Sequence, residues 1–198
     1  MADPADGNAT VRCFVAAEVP DAVASAAASV QECLRRSGVR ARWVPRTHFH
    51  LTLRFLGEQP ARRIPDLEAA MGEAARRVEP FPLAAEGIGI FPGRGAPRVL
   101  WLGLSGGVDA LGRLRRILEG TLEERLGIAG EGRPFHGHLT LARFKDRVSR
   151  RRIEEAASAC RPPAPEPFRV ERLCLFESRL SPRGARYVRL AEAGLAGR

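Results

Sequence analysis

Two short blocks hold the side chains best suited to chemistry. "HFHLTL" (48–53) and "HGHLTL" (136–141) both read H-x-H-L-T-L, and together they contain all four histidines of the 198-residue chain. In a β-strand, residues i and i+2 share a face. Each block therefore presents an imidazole beside a hydroxyl, His50 with Thr52 and His138 with Thr140. The leucines between them, Leu51, Leu53, Leu139 and Leu141, point the other way as anchors. An imidazole titrates at about 6.5, so one can accept a proton while a second donates one. Hydroxyl donors can steady an anion held between them. Neither block contains a carboxylate, which argues against a hydrolytic metal centre built on carboxylates. No serine stands beside either histidine, which argues against a Ser-His-Asp nucleophile. A phosphodiester cleaved without metal fits these groups. The two H-x-H pairs also offer imidazoles to zinc or copper, a reading that leaves the threonines without a role.

The surrounding pattern supplies the elements that position the blocks. Strands are expected over 11–19, 49–58, 81–93, 97–106, 137–145, 168–178 and 184–193, with a short extended piece at 41–45. Helices are expected from Pro20 and Asp21 to Gly38, over 65–78 behind Pro65, over 108–127 up to Gly127, and over 149–160 with Ser149 as N-cap. "RPPAPEP" (161–167) reads as a stiff connector. Interleaved helices with hairpins indicate an α+β fold with mostly antiparallel sheets. Because the two blocks sit at comparable places in the two halves, the expected architecture is bilobal. Two pseudo-symmetric lobes would flank a central cleft, with the helices outside. Residues 1–10 read as a disordered lead-in and 11–198 as a single bilobal domain.

Composition bounds the partners. The formal net charge is +9, with 32 Lys+Arg against 23 Asp+Glu, and Lys145 is the sole lysine. Arginine forks suit phosphate oxygens, and this charge suits a polyanionic partner. A GC-rich coding sequence produces the same arginine bias, so charge alone decides little. No apolar run reaches the roughly 20 residues of a membrane span, and the polar N-terminus lacks a signal-peptide core. A cytoplasmic monomer is expected. Cys13, Cys33, Cys160 and Cys174 are widely spaced with no C-x-x-C pair, and read as reduced thiols.

The paired blocks in context resemble the 2H phosphoesterase superfamily, and within it the RNA 2′,3′-cyclic phosphodiesterases, also called 2′-5′ RNA ligases. "RCFVAAEVP" (12–20) resembles the family's first strand. "RWVPRTHFHLTLRFLGE" (42–58) and "RPFHGHLTLARFK" (133–145) resemble its two motifs. "PRVLWLGL" (97–104) and "FESRLSPRGARYVRL" (176–190) resemble its hairpin and closing strands. The resemblance implies an enzyme that needs no cofactor or metal. Its substrate would be an RNA 2′,3′-cyclic phosphate end or a small cyclic nucleotide, opened to a 2′-phosphate. His138 would be the base that activates water and His50 the acid that protonates the 3′ oxygen. Thr52 and Thr140 would bond the non-bridging oxygens, and Arg143 would bind phosphate. Run backwards, the reaction makes a 2′-5′ linkage. Phe14 either stacks on a nucleobase or packs in the core. His48 and His136 read as rim residues, Arg54 as structural or rim, and Trp43 and Trp101 as packing. "RLRR" (113–116) and "SRRR" (149–152) read as solvated helix faces able to guide an RNA backbone. The family often has proline where this chain has Gly137. A non-catalytic RNA-end binder and a metal-dependent hydrolase using the H-x-H pairs remain as alternatives.

Overall fold

The chain is described by a computed structural model over residues 9–132, 134–160, 167–181 and 184–197. Its elements follow from the local signals. The first strand, β1 (Thr10–Glu18), turns Val11, Cys13, Val15 and Ala17 to the core. Pro20 starts α1 (Asp21–Arg36), where its fixed φ suits a helix entry, and Arg35 and Arg36 sit at the negative end of the helix dipole. Two short pieces follow, β2 (Arg42–Trp43) and a single 3-10 turn over Arg46–His48. They deliver the chain to β3 (His50–Pro60), which carries the first block. Next come α2 (Ile64–Arg76), the hairpin β4 (Phe81–Phe91) and β5 (Val99–Gly106), and α3 (Val108–Leu126). The last of these stops at Gly127, whose φ of 65° is the left-handed conformation that ends helices. The second block leads into β6 (Leu139–Arg143), shorter than the expected 137–145, and α4 (Arg150–Ala159) is capped by the Ser149 hydroxyl.

The long strand expected over 168–178 is two strands in two sheets. β7 (Pro167–Val170) pairs with β4, whereas β8 (Arg172–Ser181) lies between β1 and β9 (Gly184–Gly194). The pattern breaks at Glu171 and Arg172, both exposed. Before them burial alternates, as on an edge strand; after them Leu173, Cys174 and Leu175 are buried in succession, as in a strand covered on both faces.

All strand pairs are antiparallel. One sheet runs β3-β1-β8-β9 and the other β2-β6-β5-β4-β7. The expected α+β architecture with two antiparallel sheets is the observed one. The lobes are similar without being equal: β3 is an edge strand, while β6 has the two-residue β2 outside it. A contiguous apolar cluster joins them. It takes Leu34, Met71, Leu114 and Ile153 from α1 to α4, Leu51 and Leu173 from the first sheet, and Leu100 and Leu139 from the second. Full burial of a leucine contributes about 1.5–3 kcal/mol, so the anchors of both blocks hold their strands firmly.

Two of the four cysteines depart from the expected reduced thiols. Cys33 and Cys160 form a disulfide that ties α1 to the end of α4, while Cys13 and Cys174 are free and buried. The partners are 127 residues apart, so spacing carried no sign of the pair; only the packing of the two helices creates it. Most of the expected lead-in (1–8) and most of the proline connector (161–166) lie outside the described residues. Among the described residues no helix is long and apolar enough to cross a membrane.

Candidate active site

Simple alternation along β3 would put His50, Thr52 and Arg54 on one face. The register with β1 shows otherwise. Thr52 pairs with Ala16 and Arg54 with Val15, so Leu53 is an extra residue, a β-bulge. The bulge reverses the alternation. Arg54 turns inward, where it meets Glu131 at 3.2 Å and Glu119 at 3.7 Å. Phe55 turns onto the face of His50 and Thr52, with 46% of its surface exposed. The second block does the same. Thr140 pairs with Trp101 and Ala142 with Leu100, so Leu141 is the extra residue. Ala142 turns into the core and Arg143 joins the face of Thr140. Each H-x-T unit thus gains a third side chain three residues after the threonine, an aromatic ring in one lobe and a guanidinium in the other.

A buried side chain from a neighbouring helix reaches each bulge. Gln31 of α1 is only 5% exposed, and its Nε2 donates to the Leu141 carbonyl at 2.7 Å and to the Val44 carbonyl at 2.9 Å. Arg115 of α3, 6% exposed, donates from Nε to the Leu53 carbonyl at 3.3 Å. Its other end meets Glu119 at 2.8 Å. The Leu141 carbonyl also accepts from the Val44 N–H at 2.9 Å, so Gln31 adds a second donor there, while Arg115 bonds the Leu53 carbonyl.

The histidines are fixed in the same paired way. Nδ1 of His50 lies 2.8 Å from the His48 carbonyl, and Nδ1 of His138 lies 2.7 Å from the His136 carbonyl. A carbonyl only accepts, so Nδ1 carries the hydrogen in both rings and Nε2 is left for chemistry. Aromatic rings back both pairs. His50 packs on Phe14 at 4.8 Å and Tyr187 at 5.3 Å; His138 packs on Phe91 at 5.1 Å. His48 lies against Tyr187 at 4.6 Å and His136 against Trp101 at 4.7 Å. Burial pushes the His50 pKa down to about 4, with further lowering from His48, Arg143 and His138, and the bond to the His48 carbonyl opposes it. His48 is also lowered by burial.

Two adjoining hollows of ≈ 350 and ≈ 410 Å³ form one cleft between the sheets, sharing Thr52, Phe55 and Arg143. One is lined by His138, the other by His50 and Thr140. The cleft therefore brings together His50, His138, Thr52, Thr140 and Arg143. It can offer two imidazole Nε2 atoms, two hydroxyls and one guanidinium to a small anionic group.

Phe14 takes the packing alternative. It is 2% exposed, stacked on Phe176 at 5.3 Å and set under His50, so it offers no free face to a base. His48 and His136 do more than stand at a rim, since their carbonyls orient the neighbouring imidazoles. Gly137, where the family often has proline, is tightly packed: a Cβ there would lie 2.7 Å from Leu111 Cδ2. Among the described residues no group of three His, Cys, Asp or Glu side chains converges to hold a metal. Phe55 and Gln31 were missed from the sequence, and Arg115, expected on a solvated face with the rest of "RLRR" (113–116), is instead buried because it points inward with Leu114. A bulge is invisible in a strand pattern; the buried polar identity of Gln31 and Arg115 on otherwise apolar helix faces was the one signal for them.

Comparison with known proteins gives this geometry a setting. The family described as LigT like Phosphoesterase matches residues 17–101 and 104–187, one range around each block. A Thermus thermophilus protein named RNA 2′,3′-cyclic phosphodiesterase is 35% identical over 193 residues, covering 94% of this chain and 91% of its own length. A crystal structure of a Thermus thermophilus protein superposes with a TM-score of 0.79 at 33% identity, covering 94% of this chain and 98% of that one. Escherichia coli LigT complexed with 3′-AMP superposes with a TM-score of 0.73 at 26% identity, covering 94% and 99%.

If Gln31 holds the bulge at Leu141, Gln31→Leu removes two hydrogen bonds of this buried side chain at once, those to the Val44 and Leu141 carbonyls. The unfolding free energy should then fall by about 1–3 kcal/mol in equilibrium urea denaturation. An unchanged midpoint would mean the carbonyls need no such support.

Proposed function

Because this chain belongs to the LigT-like phosphoesterase family of 2H enzymes, we propose that it hydrolyses RNA 2′,3′-cyclic phosphate ends to 2′-phosphomonoesters with the two histidines as acid and base. The observation that carries the reading is the matched pair of Nδ1 bonds to the His48 and His136 carbonyls. They fix the tautomer of one imidazole in each lobe, and both imidazoles line a cleft that also holds both threonines and Arg143. The relative crystallised with 3′-AMP supports a nucleotide-sized ligand in this fold.

In this reading the cyclic phosphate lies between the two imidazoles. Thr52 and Thr140 donate to its non-bridging oxygens and Arg143 offsets its charge, so the charge that builds in the transition state meets donors already in place. His138 Nε2 takes a proton from water as the water oxygen attacks phosphorus. The bond from phosphorus to the 3′ oxygen breaks, and His50 Nε2 gives that oxygen its proton. The phosphate stays on the 2′ oxygen. Each histidine ends in the other's starting protonation state, and a 5′-hydroxyl in the place of water would by the same ring opening give a 2′-5′ linkage.

The depressed pKa of His50 adds a condition. In the free protein His50 is neutral at pH 7 and takes up its proton only as the pH falls to about 4, whereas a donor must first be charged. The phosphate anion beside it offsets the repulsion from Arg143 and His138 and raises its proton affinity in the complex.

Phe55 supplies an asymmetry that suits a nucleoside. It is an exposed ring on the cleft face beside Thr52. We assign it the stacking of the terminal base, in place of Phe14.

Turnover of adenosine 2′,3′-cyclic phosphate should persist in excess EDTA and yield the 2′-phosphate. It should fall about 10²- to 10⁴-fold in His50→Ala and in His138→Ala. Residual activity of His50→Ala should rise with pH as His138 loses its proton; a fall with pH would reverse the two roles. Turnover lost in EDTA and restored by zinc would overturn the reading, and full activity in either variant would do so as well. Phe55→Ala should raise KM by about tenfold with little change in kcat, given about 1–3 kcal/mol per stacked base. An unchanged KM removes Phe55 from base recognition.

A further inference from the structure

Among the described residues, some arginines sit beside a carboxylate and others do not, and the placement of the second set is informative. Arg36, Arg46, Arg54, Arg115, Arg125, Arg150, Arg151, Arg172, Arg179 and Arg189 all meet carboxylates. Five of those without an ion pair among the described residues are exposed and fall in two neighbouring sets, Arg42 with Arg143 on β2 and β6, and Arg40, Arg147 and Arg152 around one groove.

The first set starts in the cleft. Arg42 and Arg143 are direct cross-strand partners on β2 and β6. Like charges placed opposite each other on a sheet destabilise it, and an anion between them removes the cost. Arg40 lies two residues before Arg42, about 7 Å further along an extended chain. There it lines a groove of ≈ 870 Å³ together with Arg147 and Arg152. The walls of the groove are the end of α1, from Ser37 to Arg40, and the start of α4, from Ser149 to Ile153. Phe144, the residue after Arg143, is on its floor. The disulfide between Cys33 and Cys160 joins the two walls covalently, so the groove is formed before anything enters it. One carboxylate, Glu155, also lines it and is engaged by Arg151 at 3.4 Å.

We propose that this groove binds the backbone of single-stranded RNA upstream of the reacting end. The strand would leave the cleft between Arg42 and Arg143 and lay its next phosphates along Arg40, Arg147 and Arg152. The inference rests on the cyclic-phosphodiesterase reading and narrows its substrate to an oligonucleotide end in preference to a free cyclic mononucleotide. Charge complementarity names the occupant. The groove offers guanidinium forks and few apolar rings, as a phosphate track requires.

The test compares two substrates in one variant. Arg40→Ala, Arg147→Ala and Arg152→Ala are combined; all three side chains are exposed, and an unchanged melting temperature checks the fold. For a ten-nucleotide RNA ending in a 2′,3′-cyclic phosphate, KM should rise at least tenfold, and the dependence of log affinity on log salt should flatten by about 2. For adenosine 2′,3′-cyclic phosphate, KM should change less than twofold. Equal effects on both substrates, or none on the oligonucleotide, would overturn the groove while leaving the proposed reaction standing. If the wild type turns over neither substrate, that reaction fails instead. Anisotropy of the labelled oligonucleotide in a His50→Ala background then tests the groove alone: tighter binding with the three arginines than without them supports it, and equal binding overturns it.

Discussion

Everything in the cleft depends on one extra residue in each of two strands. Leu53 in β3 and Leu141 in β6 are bulges set directly after a threonine. A strand has a period of two, so an inserted residue moves all that follows to the opposite face. The histidine and threonine keep regular alternation before the bulge; Phe55 and Arg143 reach the cleft because of it. The carbonyl of each bulge residue is also met by a buried polar side chain from a helix, Leu141 by Gln31 and Leu53 by Arg115. Each bulge is therefore tied to the helix that packs on it.

The second constraint is electrostatic. Two imidazoles and a guanidinium share a partly enclosed space, and desolvation with mutual repulsion keeps His50 uncharged near neutrality. An arrangement that disfavours positive charge in the free protein gains from any anion that enters. That gain is available to the substrate, and still more to a transition state with added charge on its oxygens. The aromatic packing around both H-x-H pairs fixes the rings, and the two carbonyl acceptors fix their tautomers. Little reorganisation is left for the moment of reaction.

Much of this was legible in the sequence, for definite reasons. The repeated block showed the strand face, the leucine anchors and the pairing of imidazole with hydroxyl, because period-two alternation needs only a few residues to declare itself. The α+β class followed from helices interleaved with a hairpin. Three things were not legible. The bulges escaped because an extra apolar residue, Leu53 or Leu141, looks like ordinary strand. That left Phe55 unnoticed as a cleft residue, and left Arg54 undecided between a structural and a rim place. The division of 168–178 between two sheets escaped because strand propensity does not report which partner a strand finds. The disulfide escaped because its cysteines meet only through the packing of α1 and α4. Sequence showed which groups are paired; register and long-range packing decided where each points.

The paired tautomers can be observed directly. Long-range ¹⁵N–¹H correlation of the histidine rings, followed through a pH titration of the free protein, reports which nitrogen carries hydrogen and when each ring takes up charge. The bonds to the His48 and His136 carbonyls predict that Nδ1 carries the hydrogen of each neutral ring, with His50 staying neutral until the pH falls to about 4. Hydrogen on Nε2 of either neutral ring, or a His50 that charges at about the ordinary 6.5, would contradict the two-imidazole site.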